Sequence, residues 1–108
     1  VYYLIIFMVK RKSLATAPLY KPRFSAFHAT PLKGFLDSRG VDSVVIVGIT
    51  FPNCVLATQL SATDLDYRVG LVPSACTQVD EEGLRGMQNK GVQLMTLEEL
   101  REFLGLPP

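Results

Sequence analysis

The stretch GITFPNCVLATQLSA, residues 48–62, joins two kinds of sequence around one cysteine. Before it, SVVIVGI (43–49) is short, apolar and β-branched, the composition of a buried strand. After it, CVLATQLSATDL carries the alanines, leucines and polar interruptions of a helix. Phe51-Pro52-Asn53 lies between them. Proline is tolerated in the first turn of a helix but not in its interior, so the helix is expected to begin here. Cys54 then sits at a strand-to-helix turn on a helix N-terminus, where unpaired backbone N–H groups and the helix dipole favour an anion.

The rest of the chain repeats this grammar. APLYKP (17–22) reads as a short strand closed by proline. TPLKGFLDSRG (30–40) reads as a helix with Thr30 as N-cap, Pro31 in the first position, Leu32, Phe35 and Leu36 on one face, and Gly40 as the stop. YRVGLVPSA is the next strand; TQVDEEGLRGMQNKG comes after it, with Thr77 and Asp80 spaced as a capping box and Gly91 as the stop. VQLM is a last short strand, and TLEELREFLG repeats the device with Thr96, Glu99 and Gly105. Strands alternating with helices of this length indicate right-handed crossovers and an α/β fold, a parallel sheet covered on both faces. Sites in such sheets gather at the carboxyl ends of the strands. Chain order alone places Lys21, Cys54 and Ser74-Cys76-Thr77 on that edge.

Composition bounds the function. The 108 residues make one domain at most, with 48% apolar and 19% charged side chains, which suits a globular interior. A net charge of +1 gives no bulk electrostatic case for nucleic acid. Two cysteines 22 positions apart form no zinc pattern and a thin disulfide framework, so a reduced, cytoplasmic setting is expected. Residues 1–36 hold six Lys/Arg and no Asp or Glu; residues 37–108 hold five and ten. The opening VYYLIIFMVKRK is too short to span a bilayer, and its charges come after the apolar run where a signal peptide carries them first. Residues 1–16 are therefore set apart as an atypical apolar and basic segment, and no membrane partner is expected.

Each candidate residue has an ordinary reading beside the functional one. Cysteine is among the most buried residue types, and Cys54 could be packing; the elbow is what speaks for a reactive thiol. Cys76, preceded by Pro-Ser-Ala, reads as structural or substrate-lining. Lys21 could be a solvated charge, but an ammonium held near a thiol favours the thiolate and offsets charge developing in acyl transfer. His28, the single histidine, stands just before a helix start and suits a local hydrogen bond. No Gly-rich phosphate loop or metal-ligand cluster stands out.

Taken together, KPRFSAF with a following TPL, the VVIVGIT strand, NCVLAT and DYRVGLVPSAC resemble the isochorismatase-like cysteine hydrolases, over roughly residues 17–104. That superfamily includes nicotinamidases, N-carbamoylsarcosine amidases and ureidoacrylate-type amidohydrolases. The resemblance implies a three-layer α-β-α domain of Rossmann-like topology, with residues 17–108 as its C-terminal part. It implies Cys54 as nucleophile and Lys21 as its assistant. It further implies a non-proline cis peptide at Ile49–Thr50 and an oxyanion hole from the backbone N–H groups of Thr50 and Cys54. The chemistry implied is attack on an amide-type carbon of a small molecule, through a thioester, without a cofactor.

Two departures stand against the resemblance. Phe51-Pro52 replaces small polar residues and should make that rim of the substrate pocket more apolar. More seriously, the family's general-base aspartate ends a strand well upstream of the lysine, and no acid precedes Asp37 here. The family's metal ligands belong to the same missing half, so no metal is expected. The simplest expectation is a truncated domain, with VYYLIIFMV in the empty slot beside SVVIVGI, which would otherwise be an open apolar edge. Self-association is expected of such a sheet. The alternatives are a catalytically incomplete module kept for binding or assembly, and, from the two cysteines on one edge, a thiol redox protein, although no C-x-x-C supports it.

Overall fold

A computed structural model describes residues 3–9, 19–105 and 107. Its elements are β1 (Tyr3–Val9), α1 (Leu32–Ser38), β2 (Ser43–Ile49), a π-helical turn (Phe51–Val55) leading into α2 (Leu56–Asp64), β3 (Arg68–Cys76), α3 (Glu81–Asn89), β4 (Gln93–Leu94) and α4 (Leu97–Phe103). The described strands form one sheet in the order β1-β2-β3-β4. β2, β3 and β4 run parallel, as the strand–helix alternation predicts.

β2 is the centre of the architecture. Val44, Val45, Ile46 and Val47 are all buried, which is why the sequence there is a continuous apolar run. Its two faces feed two cores. Val44 and Ile46 join Val69 and Leu71 of β3 beneath Leu32 and Leu36 of α1, Ala62 of α2 and Met87 of α3. Val45 and Val47 join Val72, with Met95, just after β4, and Leu100 of α4 on the opposite side. Helices thus cover both faces of the sheet.

The N-terminal run does lie beside β2, but antiparallel, with Tyr3 opposite Ile49 and Val9 opposite Ser43. A strand that adds to an edge by backbone bonding can run in either direction, and its apolar content does not say which. The strand expected over 17–22 is not there: residues 19–22 are irregular, and 17–18 lie outside the described residues.

Helix ends show which signals hold. At α4 the capping box is complete: Thr96 Oγ1 accepts the Glu99 N–H at 3.1 Å, and Glu99 Oε1 accepts the Thr96 N–H at 3.2 Å. Gly40, Gly91 and Gly105 have φ values of 65°, 90° and 70°, the left-handed region that glycine enters without penalty. The α3 cap is Asp80, not Thr77. Asp80 accepts the Gly83 N–H at 2.6 Å, while the Thr77 backbone extends the sheet edge. At α1 the N-cap is Pro31, one residue later than expected; the Thr30 hydroxyl donates to the Ala26 carbonyl at 2.5 Å and accepts the Leu32 N–H at 3.3 Å.

Gly83 has a packing role as well. A Cβ there would stand 2.5 Å from Cε1 of Phe51 and 2.6 Å from Asp80 Oδ1. Gly83→Ala therefore forces a buried aromatic ring to shift, a cost of about 1–3 kcal/mol that exceeds the roughly 1 kcal/mol gain in helix propensity. Urea denaturation should show a net loss of stability.

Tyr67 donates to Asp37 Oδ1 at 2.6 Å and stacks on Phe27 at 5.7 Å between ring centroids. Burial, and then the Asp37 carboxylate, push the phenol up to about 12 from 10.0. Lys33 first, then Tyr67, holds the Asp37 carboxyl below its usual value. A raised folded value for an acid means that the neutral form is favoured in the fold. The Tyr67 contribution is thus complete below pH 10 and is lost as pH rises through about 12. Absorbance titration at about 295 nm should show one of the four tyrosines ionising late, and Asp37→Asn should bring it earlier.

Candidate active site

The site is built where β2 stops. After Ile46 pairs with Leu71, the register slips so that Gly48 faces Cys76. The extra length in β3 contains Pro73, which has no N–H to give a neighbouring strand. Gly48, at φ 148°, occupies backbone space that side-chain-bearing residues rarely enter. The next peptide, Ile49–Thr50, is cis. Thr77 then ties the edge together: its N–H reaches the Gly48 carbonyl at 3.4 Å, and its carbonyl accepts the Phe51 N–H at 2.9 Å.

From Thr50 the chain turns into the π-helical segment, with Pro52 in its first turn, where a missing N–H costs nothing. The Thr50 carbonyl accepts from the N–H groups of Asn53 and Val55, both at 3.2 Å, passing over that of Cys54 between them. The Asn53 side chain adds a bond to Thr50 Oγ1 at 3.1 Å. Phe51 is 3% exposed and packs toward α3, whereas Pro52 is exposed on the rim. Of the two residues expected to line a pocket, Pro52 faces outward and Phe51 is part of the core.

Cys54 is fully buried, and its Sγ lies 3.3 Å from Lys21 Nζ, across 33 residues of sequence. Lys21 Nζ also donates to the carbonyls of Arg23 (3.0 Å) and Phe24 (3.1 Å). The three contacts set the Lys21 amine directly against the sulfur. The irregular backbone at 19–22, where a strand is expected, is what lets the chain wrap round its own lysine.

The residues that hold this loop carry no mark in the local sequence pattern. Ser25 Oγ lies 2.8 Å from Ser61 Oγ, and the Ala26 N–H donates to Thr58 Oγ1 at 3.0 Å. The one available signal is the spacing of Thr58 and Ser61, hydroxyl residues three apart on α2.

Other candidates fall away from the pair. Cys76 is half-buried and its Sγ contacts the Val72 carbonyl at 3.5 Å; burial pushes its thiol up. His28 is exposed. Asp37, the first acid of the chain, is committed to Lys33 at 2.5 Å and to Tyr67. Among the described residues no group of His, Cys, Asp and Glu could hold a metal ion, and no helix is long and apolar enough to cross a membrane.

Comparison with known proteins identifies the family. A protein of Arabidopsis thaliana named "Probable inactive nicotinamidase" is 36% identical over 91 residues, covering 80% of this chain and 46% of that protein. The crystal structure of an isochorismatase family protein from Desulfovibrio vulgaris superposes with a TM-score of 0.72 at 36% identity, covering 81% of this chain and 48% of the other. N-carbamoylsarcosine amidase from Thermoplasma acidophilum gives 0.68 at 28% identity, covering 72% and 46%. The chain thus spans about half the length of the relatives it matches. The isochorismatase domain family matches residues 9–99, and the chain belongs to that family.

Proposed function

We propose that Cys54 and Lys21 are the nucleophilic pair of a cysteine hydrolase acting on an amide-type C–N bond of a small molecule. The observation that carries this is the 3.3 Å contact between Lys21 Nζ and Cys54 Sγ at the end of β2. Amidase relatives with the same fold support the bond type. Sulfur attacks the carbonyl carbon as thiolate and forms a C–S bond, and the carbonyl oxygen takes the charge. The N–H groups of Thr50 and Cys54 are the proposed donors to that oxyanion; both flank the turn after β2, and the Thr50 carbonyl bonds formed by Asn53 and Val55 do not use the Cys54 N–H. Collapse breaks the C–N bond, leaving a thioester that water cleaves to the acid, restoring the thiol.

The departing nitrogen must gain a proton, and that need supports a second reading. Asp37 is engaged with Lys33 and Tyr67, and a relative at 36% identity is itself named inactive. On this second reading Cys54 and Lys21 belong to a binding or assembly module that retains an acylatable thiol.

Leaving-group chemistry separates the two. p-Nitrophenolate leaves as an anion and needs no general acid, so p-nitrophenyl acetate should give a Cys54-dependent burst approaching one equivalent per chain under either reading. A burst unchanged in Cys54→Ala would end both. Turnover of nicotinamide or another small amide, abolished in Cys54→Ala, establishes the hydrolase; a burst with amides left intact establishes the module.

A further inference from the structure

We infer that Thr58, seconded by Ser61, is a positioning residue that sets Lys21 against Cys54, an inference that rests on Cys54 and Lys21 being the reactive pair. Lysine carries its charge on a long stem with several free torsions, and a fixed ammonium needs fixed acceptors. Two of its acceptors besides sulfur, the carbonyls of Arg23 and Phe24, belong to a loop whose residues Pro22, Arg23 and Phe24 are all exposed. The next residues of the loop, Ser25 and Ala26, supply the grip. Ala26 is 3% exposed, and its N–H bonds to the hydroxyl of Thr58, itself fully buried. Ser25 Oγ meets Ser61 Oγ and also accepts the Phe27 N–H at 3.2 Å, tightening the turn.

The anchors stand on α2, which continues directly from the π-helical turn that carries the nucleophile. Thr58 and Ser61 lie four and seven positions after Cys54, one and two helical turns along the same face. A single helix therefore fixes both partners: it presents the sulfur at its first turn and grips the lysine loop at its second and third. Because a buried N–H without a partner is costly, the Ala26–Thr58 bond is not optional. Removing the Thr58 hydroxyl obliges residue 26 to seek another partner, and the carbonyls of Arg23 and Phe24 move with it. Thr58 acts on Lys21 through the loop and not by contact with the reacting atoms.

The test is the pH profile of Cys54 alkylation by iodoacetamide in the full chain, with Cys54 and Cys76 peptides resolved by mass spectrometry and folding checked by circular dichroism. Access to the sulfur scales the rate at every pH, whereas the ammonium moves the midpoint. Lys21→Met should move the midpoint upward and slow the neutral-pH reaction on the order of tenfold. Thr58→Val, which keeps the shape and loses the acceptor, should move it the same way by most of that amount, and Thr58→Ser should restore the original profile. Ser61→Ala should give a smaller shift of the same sign and decides between the outcomes should Thr58→Val fail to fold. A shifted midpoint in Lys21→Met with unshifted midpoints in Thr58→Val and Ser61→Ala overturns the positioning role alone. An unshifted midpoint in Lys21→Met overturns the reactive pair and the positioning role together.

Discussion

The parallel pairing of β2 with β3 is the constraint on which the site depends. Parallel neighbours cannot be joined by a tight turn; the chain must leave the end of one strand, cross a face of the sheet and return to the start of the next. Here the crossover is the π-helical turn and α2, and its first residues have to stand at the carboxyl edge of β2. Val44 to Val47, buried on both faces, fix β2 so firmly that the elbow has little freedom of its own. Thr77, arriving at the same edge on the end of β3, then bonds both Gly48 and Phe51, so the backbone on either side of Thr50 is held by a neighbouring strand. The position of the sulfur is a property of the sheet.

The position of the lysine is not, and this difference explains what can be read from the sequence. Strand β2, the elbow at Phe51-Pro52, and the stops at Gly40, Gly91 and Gly105 are local, since each depends on residues within a few positions. The capping box at Thr96 and Glu99 is legible for the same reason. The segment around Lys21 misleads because leucine and tyrosine between prolines look like a short strand when only neighbours are considered. Its conformation is decided by Thr58 and Ser61, more than thirty residues away. The cap at Asp80 is hidden in a similar manner: Thr77 has the right spacing for a box, but its backbone is used by Gly48 and Phe51. Direction is not legible either, for β1 has the composition of a strand beside β2 but nothing in that composition sets it antiparallel.

The two cysteines show how little the residue type decides. Both lie at the carboxyl edge, and neither is paired in a disulfide. Cys76 has a backbone carbonyl for company, and burial disfavours its charged form. Cys54 is more deeply buried but has an ammonium at 3.3 Å. The two sulfurs thus have different neighbours, a carbonyl for one and an ammonium for the other. A redox role, which would require the two sulfurs to exchange partners, gains no support from thiols in such unlike surroundings.

Amide hydrolysis makes two separable demands: charge must be stabilised on the nucleophile, and a proton must reach the leaving nitrogen. In the proposed hydrolase the first falls to Lys21 and Cys54, within one loop and one helix that brace each other. The second calls for a carboxylate, and the one nearest Lys21 in sequence, Asp37, is held by Lys33 and Tyr67 in fastening α1 to the core. Freeing it would unpair a buried phenol, so stability opposes its recruitment. The two demands therefore fall on different parts of the fold, and the nucleophilic part can persist intact whether or not a proton carrier accompanies it.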